Sequence, residues 1–149
     1  MQLSELFSPT LSFVQVEGRS KKRLFETVAK KISEHTPNLP SDLLFDALIA
    51  RERLGSTGLG EGVAVPHCRL SEIDIEEIGV LVQLQAPIDF DAPDQKPVDL
   101  LAFLLVSGEA NQEHLDALSS IAGILSDPER RSSMRASKTA QGLFDIVST

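Results

Sequence analysis

Apolar positions in the first third of the chain predict one strand followed by two helices. The segment 11–16 alternates in part between apolar and polar residues, which is typical of a half-buried strand. Leu24, Val28 and Ile32 then recur every four residues and predict a helix on which they form the buried face. A second amphipathic helix is predicted over 41–54, before a glycine-rich segment.

Two long apolar runs dominate the second half of the chain. Residues 78–84 and 100–106 are almost entirely apolar, as is typical of central strands that are buried on both faces. A short strand is predicted at 63–65. After Gly108 the spacing of apolar residues becomes helical, and two shorter helices follow. The residues expected on the inner face of the first of these helices are Leu115, Leu118, Ala122 and Leu125.

This order of elements predicts an α/β fold. Strands mixed with about five helices, two of the strands doubly buried, indicate a three-layer α/β/α sandwich. Its central sheet is expected to be mixed, with about four to five strands flanked by helices. No internal repeat or linker interrupts the pattern, so a single domain is predicted over residues 1–149.

Composition and charge exclude several classes of protein. The chain has 14 Lys and Arg against 22 Asp and Glu, a net charge of -8, which argues against binding of nucleic acid. A single cysteine excludes an internal disulfide framework and a cysteine-rich metal site, and no cofactor or metal is expected. No apolar run reaches the roughly 18 residues of a membrane span. The N-terminal residues lack the pattern of a signal peptide, so a cytoplasmic location is expected.

The segment 55–70 carries the candidate chemistry. Four glycines fall within 55–62, a short predicted strand follows, and Pro66 and His67 come after it. The loop lacks the Lys-Ser/Thr of a phosphate-binding P-loop, and it leads from a helix into a strand, the reverse of a dinucleotide site. A histidine beyond a strand end, beside backbone N–H groups, is well placed to meet an anion. The lone pair of a neutral imidazole makes His67 a candidate nucleophile for phosphoryl transfer.

The same segment resembles a known family. RERLGSTG at 51–58 (after Ala50) and GVAVPHC at 62–68 are similar to the signature of the phosphotransferase-system enzyme IIA domains of the fructose/mannitol type. The nearest subgroup is the stand-alone nitrogen-regulatory IIA protein. Cys68 stands where many members have glycine. The resemblance extends over nearly the whole chain, through SKKRLFETVAKKI, APIDFDAPDQKPVDLLAFLLV and HLDALSSIA.

The resemblance implies a specific set of site residues. His67 is implied to accept a phosphoryl group on Nε2 from a histidine-containing phosphocarrier protein. Arg51 and His114 are implied to lie beside it, where a guanidinium offers a fork of donors and an early position in a helix favours an anion. Ser56 and Thr57 are further candidates, as hydroxyl donors to the phosphoryl group.

Three functions are compatible with this sequence. The first is a regulatory phosphoryl carrier that signals nitrogen, carbon or potassium status through phosphorylation-dependent binding to targets such as kinases or transporters. The second is a sugar-specific component for fructose or mannitol that passes the phosphoryl group to a IIB cysteine. The third is a pure binding regulator, switched by the charge of about −2 that a phosphoryl group adds. A chain of 149 residues has no room for a fused IIB or IIC part, which favours the first.

Overall fold

The computed structural model describes residues 2–71, 73–108 and 111–148. Among the helices described, none combines the length and the hydropathy that crossing a bilayer requires. The strands are β1 (Ser12–Val16), β2 (Gly58–Gly60), β3 (Val63–Ala64), β4 (His67–Leu70), β5 (Ile78–Ile88) and β6 (Val98–Ser107). The helices are α1 (Leu3–Leu6), α2 (Lys21–His35), α3 (Ser41–Arg53), α4 (Gln112–Leu125), α5 (Pro128–Ala136) and α6 (Ala140–Ser148).

The strands form one mixed sheet. Its order is β1-β5-β6-β3-β2, and β4 also pairs with β6. β5 and β6 are antiparallel, whereas β1 runs parallel to β5, and β3 and β4 both run parallel to β6. β3 and β4 therefore lie one after the other along the same edge of β6, with Val63 opposite Leu100 and His67 opposite Leu104.

A short break separates β3 from β4 at Val65 and Pro66. Pro66 has no N–H to donate, although its carbonyl still accepts the N–H of Leu104 at 3.0 Å. The N–H of Val65 turns away from β6 and donates to the carbonyl of Thr57 at 3.0 Å. The chain therefore kinks just before His67 and resumes pairing with β6 at that residue.

Helices cover both faces of β5 and β6, as the continuous apolar runs predicted. In β6, Leu101 and Phe103 belong to a core with α2 and α3, whereas Leu100, Ala102 and Leu104 belong to a second core with α1, α4, α5 and α6. The three-layer α/β/α arrangement is confirmed. Within the described residues the sheet has six strands rather than four to five, because the apolar pattern of the sequence does not indicate β2 or β4.

Helix α4 is rotated relative to the predicted orientation, although Leu125 is buried as predicted and Leu118 and Ala122 are half-buried. His114, Ala117, Ile121 and Leu125 are buried, whereas Leu115 is 58% exposed. The apolar stripe of α4 is wide enough to permit either rotation, and periodicity alone does not choose between them. Packing against the sheet favours the face that carries the small Ala117.

Gln83, a buried polar residue of β5, ties the C-terminal end of α5 to the sheet. Its Nε2 donates to the carbonyls of Met134 and Ser137, each at 2.8 Å. Its Oε1 accepts the N–H of Gln15 at 3.1 Å. The Met134 carbonyl also accepts the N–H of Ser137 at 3.3 Å, so the Gln83 side chain adds a second hydrogen bond there and links the end of α5 to the sheet.

Replacing Gln83 with methionine is therefore expected to destabilise the fold by about 3 kcal/mol, because a side chain of similar size makes none of these three hydrogen bonds. Urea denaturation measures the change. Gln85→Met, at an exposed position of the same strand, is the matched control and is expected to change stability by less than about 0.5 kcal/mol. Equal effects of the two variants would contradict the structural role of Gln83.

Candidate functional site

An open cavity of about 460 Å³ lies between α3, β4 and α4. Arg51 from the last turn of α3, His67 from the start of β4 and His114 from the first turn of α4 all line it. The fold thus brings together three residues that are far apart in the sequence. These are the residues that the family resemblance placed around a phosphoryl group.

His67 begins a strand rather than following one, and its ring has a defined partner. Its Nδ1 lies 2.8 Å from the carbonyl oxygen of Val65. Because a carbonyl only accepts hydrogen bonds, Nδ1 carries the proton, and Nε2 of the neutral ring keeps its lone pair. Nε2 is therefore the ring nitrogen that is available to a ligand or an electrophile in this site.

A chain of hydrogen bonds connects this ring to a buried carboxylate. Val65, which accepts from His67, donates its own N–H to the carbonyl of Thr57. The N–H and hydroxyl of Thr57 donate to the two carboxylate oxygens of Glu52, at 3.0 and 2.8 Å. Glu52 is only 8% exposed, and Nζ of Lys21 balances its charge at 2.8 Å. The backbone acceptor of His67 is thereby anchored to α3 and α2.

Ser56 and Thr57 are not brought into the cavity. The Thr57 hydroxyl donates to Glu52, and the Ser56 hydroxyl donates to the carbonyl of Phe90 at 3.0 Å and accepts the N–H of Gly58. Neither residue is part of the cavity wall. The geometry therefore gives no support to their predicted role as phosphoryl donors, which stays a prediction.

Gly60 and Gly62 form a tight turn between β2 and β3, and none of the four glycines of 55–62 lines the cavity. Gly62 adopts a φ of +80°, a conformation that a residue with a side chain rarely takes. The N–H of Glu61 donates to the carboxylate of Asp94 at 2.9 Å. Together with the N–H of Lys96, this hydrogen bond holds the pKa of Asp94 below its ordinary value. The turn thus contacts a carboxylate of the chain itself.

The charges in the cavity suit an anion. Arg51 and Arg69 line it, and no aspartate or glutamate of the described chain does, although the net charge is -8. Nη1 of Arg51 donates to the carbonyl of Gly55 at 2.9 Å, and this bond uses only one of five guanidinium donors. Arg69 shares a strand face with His67, because alternate residues of a strand point to the same side. The sequence pattern did not indicate β4, so this alternation, and with it Arg69, was not predictable from the sequence.

The rim of the cavity is apolar and exposed. Three large apolar side chains of the described residues are exposed, and two of them, Leu54 at 84% and Leu115 at 58%, line this cavity. Leu54 follows α3, and Leu115 lies beside His114 on α4. Exposed apolar groups that surround a polar centre are typical of a surface that meets another protein.

Cys68 also lines the cavity, but its thiol is buried. It is 6% exposed, and burial raises the pKa of its thiol to about 12. The thiolate, which is the reactive and metal-binding form, is therefore disfavoured. Within residues 2–71, 73–108 and 111–148, no group of three or more His, Cys, Asp or Glu side chains is placed to hold a metal ion.

Comparison with known proteins identifies the family to which this chain belongs. The family described as "Phosphoenolpyruvate-dependent sugar phosphotransferase system, EIIA 2" matches residues 5–149, and the chain belongs to this family of phosphotransfer components. Within it, the chain is 44% identical to a nitrogen regulatory protein of Pseudomonas aeruginosa, over 99% of this chain and 95% of that one.

Solved structures agree with this assignment. The nitrogen regulatory protein IIA-Ntr of Neisseria meningitidis is 38% identical, with a TM-score of 0.90 over 97% of this chain and 98% of that one. The IIA mannitol protein of Escherichia coli is 17% identical, with a TM-score of 0.77 over 94% and 97% of the two chains. At 17% identity, the similarity to the mannitol protein shows only that the two chains share a fold.

Thr57→Val tests whether the Thr57 hydroxyl is structural. Removing it leaves an oxygen of the buried Glu52 carboxylate without its donor, so the expected loss is about 2 kcal/mol of stability. Urea denaturation measures it, with Thr27→Val on α2, a half-buried threonine, as the control. A Thr57→Val protein as stable as the control variant would show that Glu52 does not depend on this hydroxyl.

Proposed function

We propose that this chain is a regulatory phosphoryl carrier in which His67 accepts a phosphoryl group on Nε2 from the phosphohistidine of a histidine-containing phosphocarrier protein. The observation that carries the proposal is the state of the His67 ring. Its Nδ1–H is held by the Val65 carbonyl, and the ring lies in a cavity lined by two guanidinium groups and no carboxylate of the described chain. This arrangement favours attack by Nε2 on a negatively charged phosphorus centre.

The transfer proceeds by exchange of one phosphorus–nitrogen bond for another. The bond between phosphorus and the donor's histidine nitrogen breaks, and its electron pair stays on that nitrogen while His67 Nε2 bonds to phosphorus. Positive charge develops on the His67 ring, and the Val65 carbonyl stabilises it through Nδ1–H. Arg51 offers planar, paired donors to the phosphoryl oxygens, and His114 lies in the wall of the same cavity.

The apolar rim supports a protein, rather than a free small molecule, as the donor. Leu54 and Leu115 are exposed on either side of the charged centre, so a protein partner would bury them as the two active sites meet. A phosphoryl group at His67 adds a charge of about −2 in the middle of this surface. A partner that binds one form of the protein is therefore expected to discriminate against the other.

We assign the carrier to regulation rather than to sugar uptake. The support is its 44% identity to a nitrogen regulatory protein along almost the whole length, against 17% to the mannitol protein. The output would be phosphorylation-dependent binding, in the cytoplasm, to targets such as kinases or transporters that report nitrogen, carbon or potassium status. The sugar-specific alternative requires onward transfer to a IIB cysteine.

His67 is expected to be the residue that takes the phosphoryl group. Incubation with the phosphocarrier, its kinase and phosphoenolpyruvate should add one acid-labile phosphoryl group to the wild-type protein, and mass spectrometry measures it. His67→Ala should remain unlabelled, whereas His35→Ala, a variant of an exposed histidine at the end of α2, should be labelled normally. Label on the His67→Ala protein would disprove the assignment.

Arg51→Lys is expected to slow phosphoryl transfer by roughly 10- to 100-fold, because lysine keeps the charge but loses the planar pair of donors. Its melting temperature should stay near that of the wild type. Rapid-quench measurement of phosphorylation gives the rate, and Arg53→Lys, at the exposed next-but-one position of α3, is the control. A normal rate with a large loss of stability would instead make Arg51 a structural residue of the helix.

A further inference from the structure

A carboxylate outside the predicted site contacts the second histidine of the cavity. Glu77 lies directly before β5, and its Oε1 is 3.1 Å from Nε2 of His114. Both side chains are largely buried, at 14% and 11% exposure. His114 lines both the cavity that holds His67 and a second cavity that is lined by Glu77.

This contact determines which nitrogen of His114 carries a proton. A carboxylate only accepts hydrogen bonds, so Nε2 must be the donor, and Nδ1 of a neutral ring then has a lone pair. Among the described residues, two buried side-chain polar atoms have no hydrogen-bond partner: Nδ1 of His114 and Oε2 of Glu77. The backbone N–H of His114 is already held by Asn111 Oδ1 at 3.0 Å. Nδ1 is thus the one nitrogen of the residue that can take a new partner.

A phosphoryl oxygen is itself an acceptor, so the neutral ring has nothing to donate to it from Nδ1. The ring becomes a donor only when Nδ1 also gains a proton, which makes it an imidazolium. The negative charge of Glu77, 3.1 Å away on the other nitrogen, balances that positive charge. The incoming phosphoryl dianion supplies the second negative charge.

We propose that Glu77 is a positioning residue for His114. It holds the proton on Nε2 and orients the ring, so that Nδ1 takes up one proton from solvent and donates a hydrogen bond to a phosphoryl oxygen when the group reaches His67. The inference rests on the proposed function of His67. It adds a residue that touches neither the phosphoryl group nor His67 and acts through His114 alone.

Ring nitrogen NMR tests this directly. The sequence has three histidines, so ¹⁵N-histidine labelling gives few signals, and the signal missing from a His114→Gln sample assigns this ring. In the unphosphorylated wild type, the neutral His114 ring should carry its proton on Nε2. After phosphorylation with the phosphocarrier, its kinase and phosphoenolpyruvate, both nitrogens should be protonated. A proton on Nδ1 alone before phosphorylation, or a ring unchanged after it, would overturn the inference.

The matched variants are Glu77→Gln and Glu76→Gln, since Glu76 is the exposed carboxylate of the neighbouring residue. Glu77→Gln should slow phosphoryl transfer by about tenfold, through loss of a charge-assisted hydrogen bond. It should also leave His114 mostly singly protonated in the phosphorylated protein. Glu76→Gln should match the wild type in both respects. Equal rates and equal His114 signals for the two variants would overturn the inference.

The same experiment separates this inference from the proposed function. If the wild type accepts no phosphoryl group, the proposed function fails, and this inference fails with it. If the wild type is phosphorylated at His67 while the Glu77 variant behaves like the Glu76 variant, only the role of Glu77 is disproved. Should Glu77→Gln fail to fold, the protonation of His114 in the wild type, before and after phosphorylation, still decides between the two outcomes.

Discussion

The buried carboxylate of Glu52 is the constraint on which the site depends. A charged group removed from water is stable only with several donors around it, and Glu52 has three: the N–H and hydroxyl of Thr57, and Nζ of Lys21. Lys21 also lies 4.2 Å from the centre of the Phe90 ring. Satisfying this one carboxylate fixes the start of α2 and the segment after α3 relative to each other.

That arrangement determines the chemistry of His67. The carbonyl of Thr57 accepts a hydrogen bond from the N–H of Val65, and the carbonyl of Val65 accepts one from Nδ1 of His67. The ring nitrogen that keeps its lone pair is therefore determined by two backbone groups and by a carboxylate that does not itself touch the ring. Around it, an acidic chain keeps a cavity lined by Arg51 and Arg69, so the local charge opposes the net charge.

The sequence predicted those features that local patterns encode. Burial on both faces makes β5 and β6 visible as apolar runs, and the motif around His67, with the family resemblance, also indicated Arg51 and His114. The acceptor that fixes the His67 tautomer was not predictable, because a backbone carbonyl has no side-chain identity. Ser56 and Thr57 were proposed because they are close to the motif, but the turn before β2 directs their hydroxyls to Phe90 and Glu52. The rotation of α4 depends on packing, which its wide apolar stripe leaves open.

The position of His67 on a strand has a further consequence for the proposed exchange. As the first residue of β4, paired with Leu104 on the central strand β6, it is held by the sheet rather than by a loop. A rigid acceptor presents the same geometry to an arriving and a departing phosphoryl group. Under the function proposed above, the same site serves both directions of transfer, so β4 needs no rearrangement between accepting the group and passing it on.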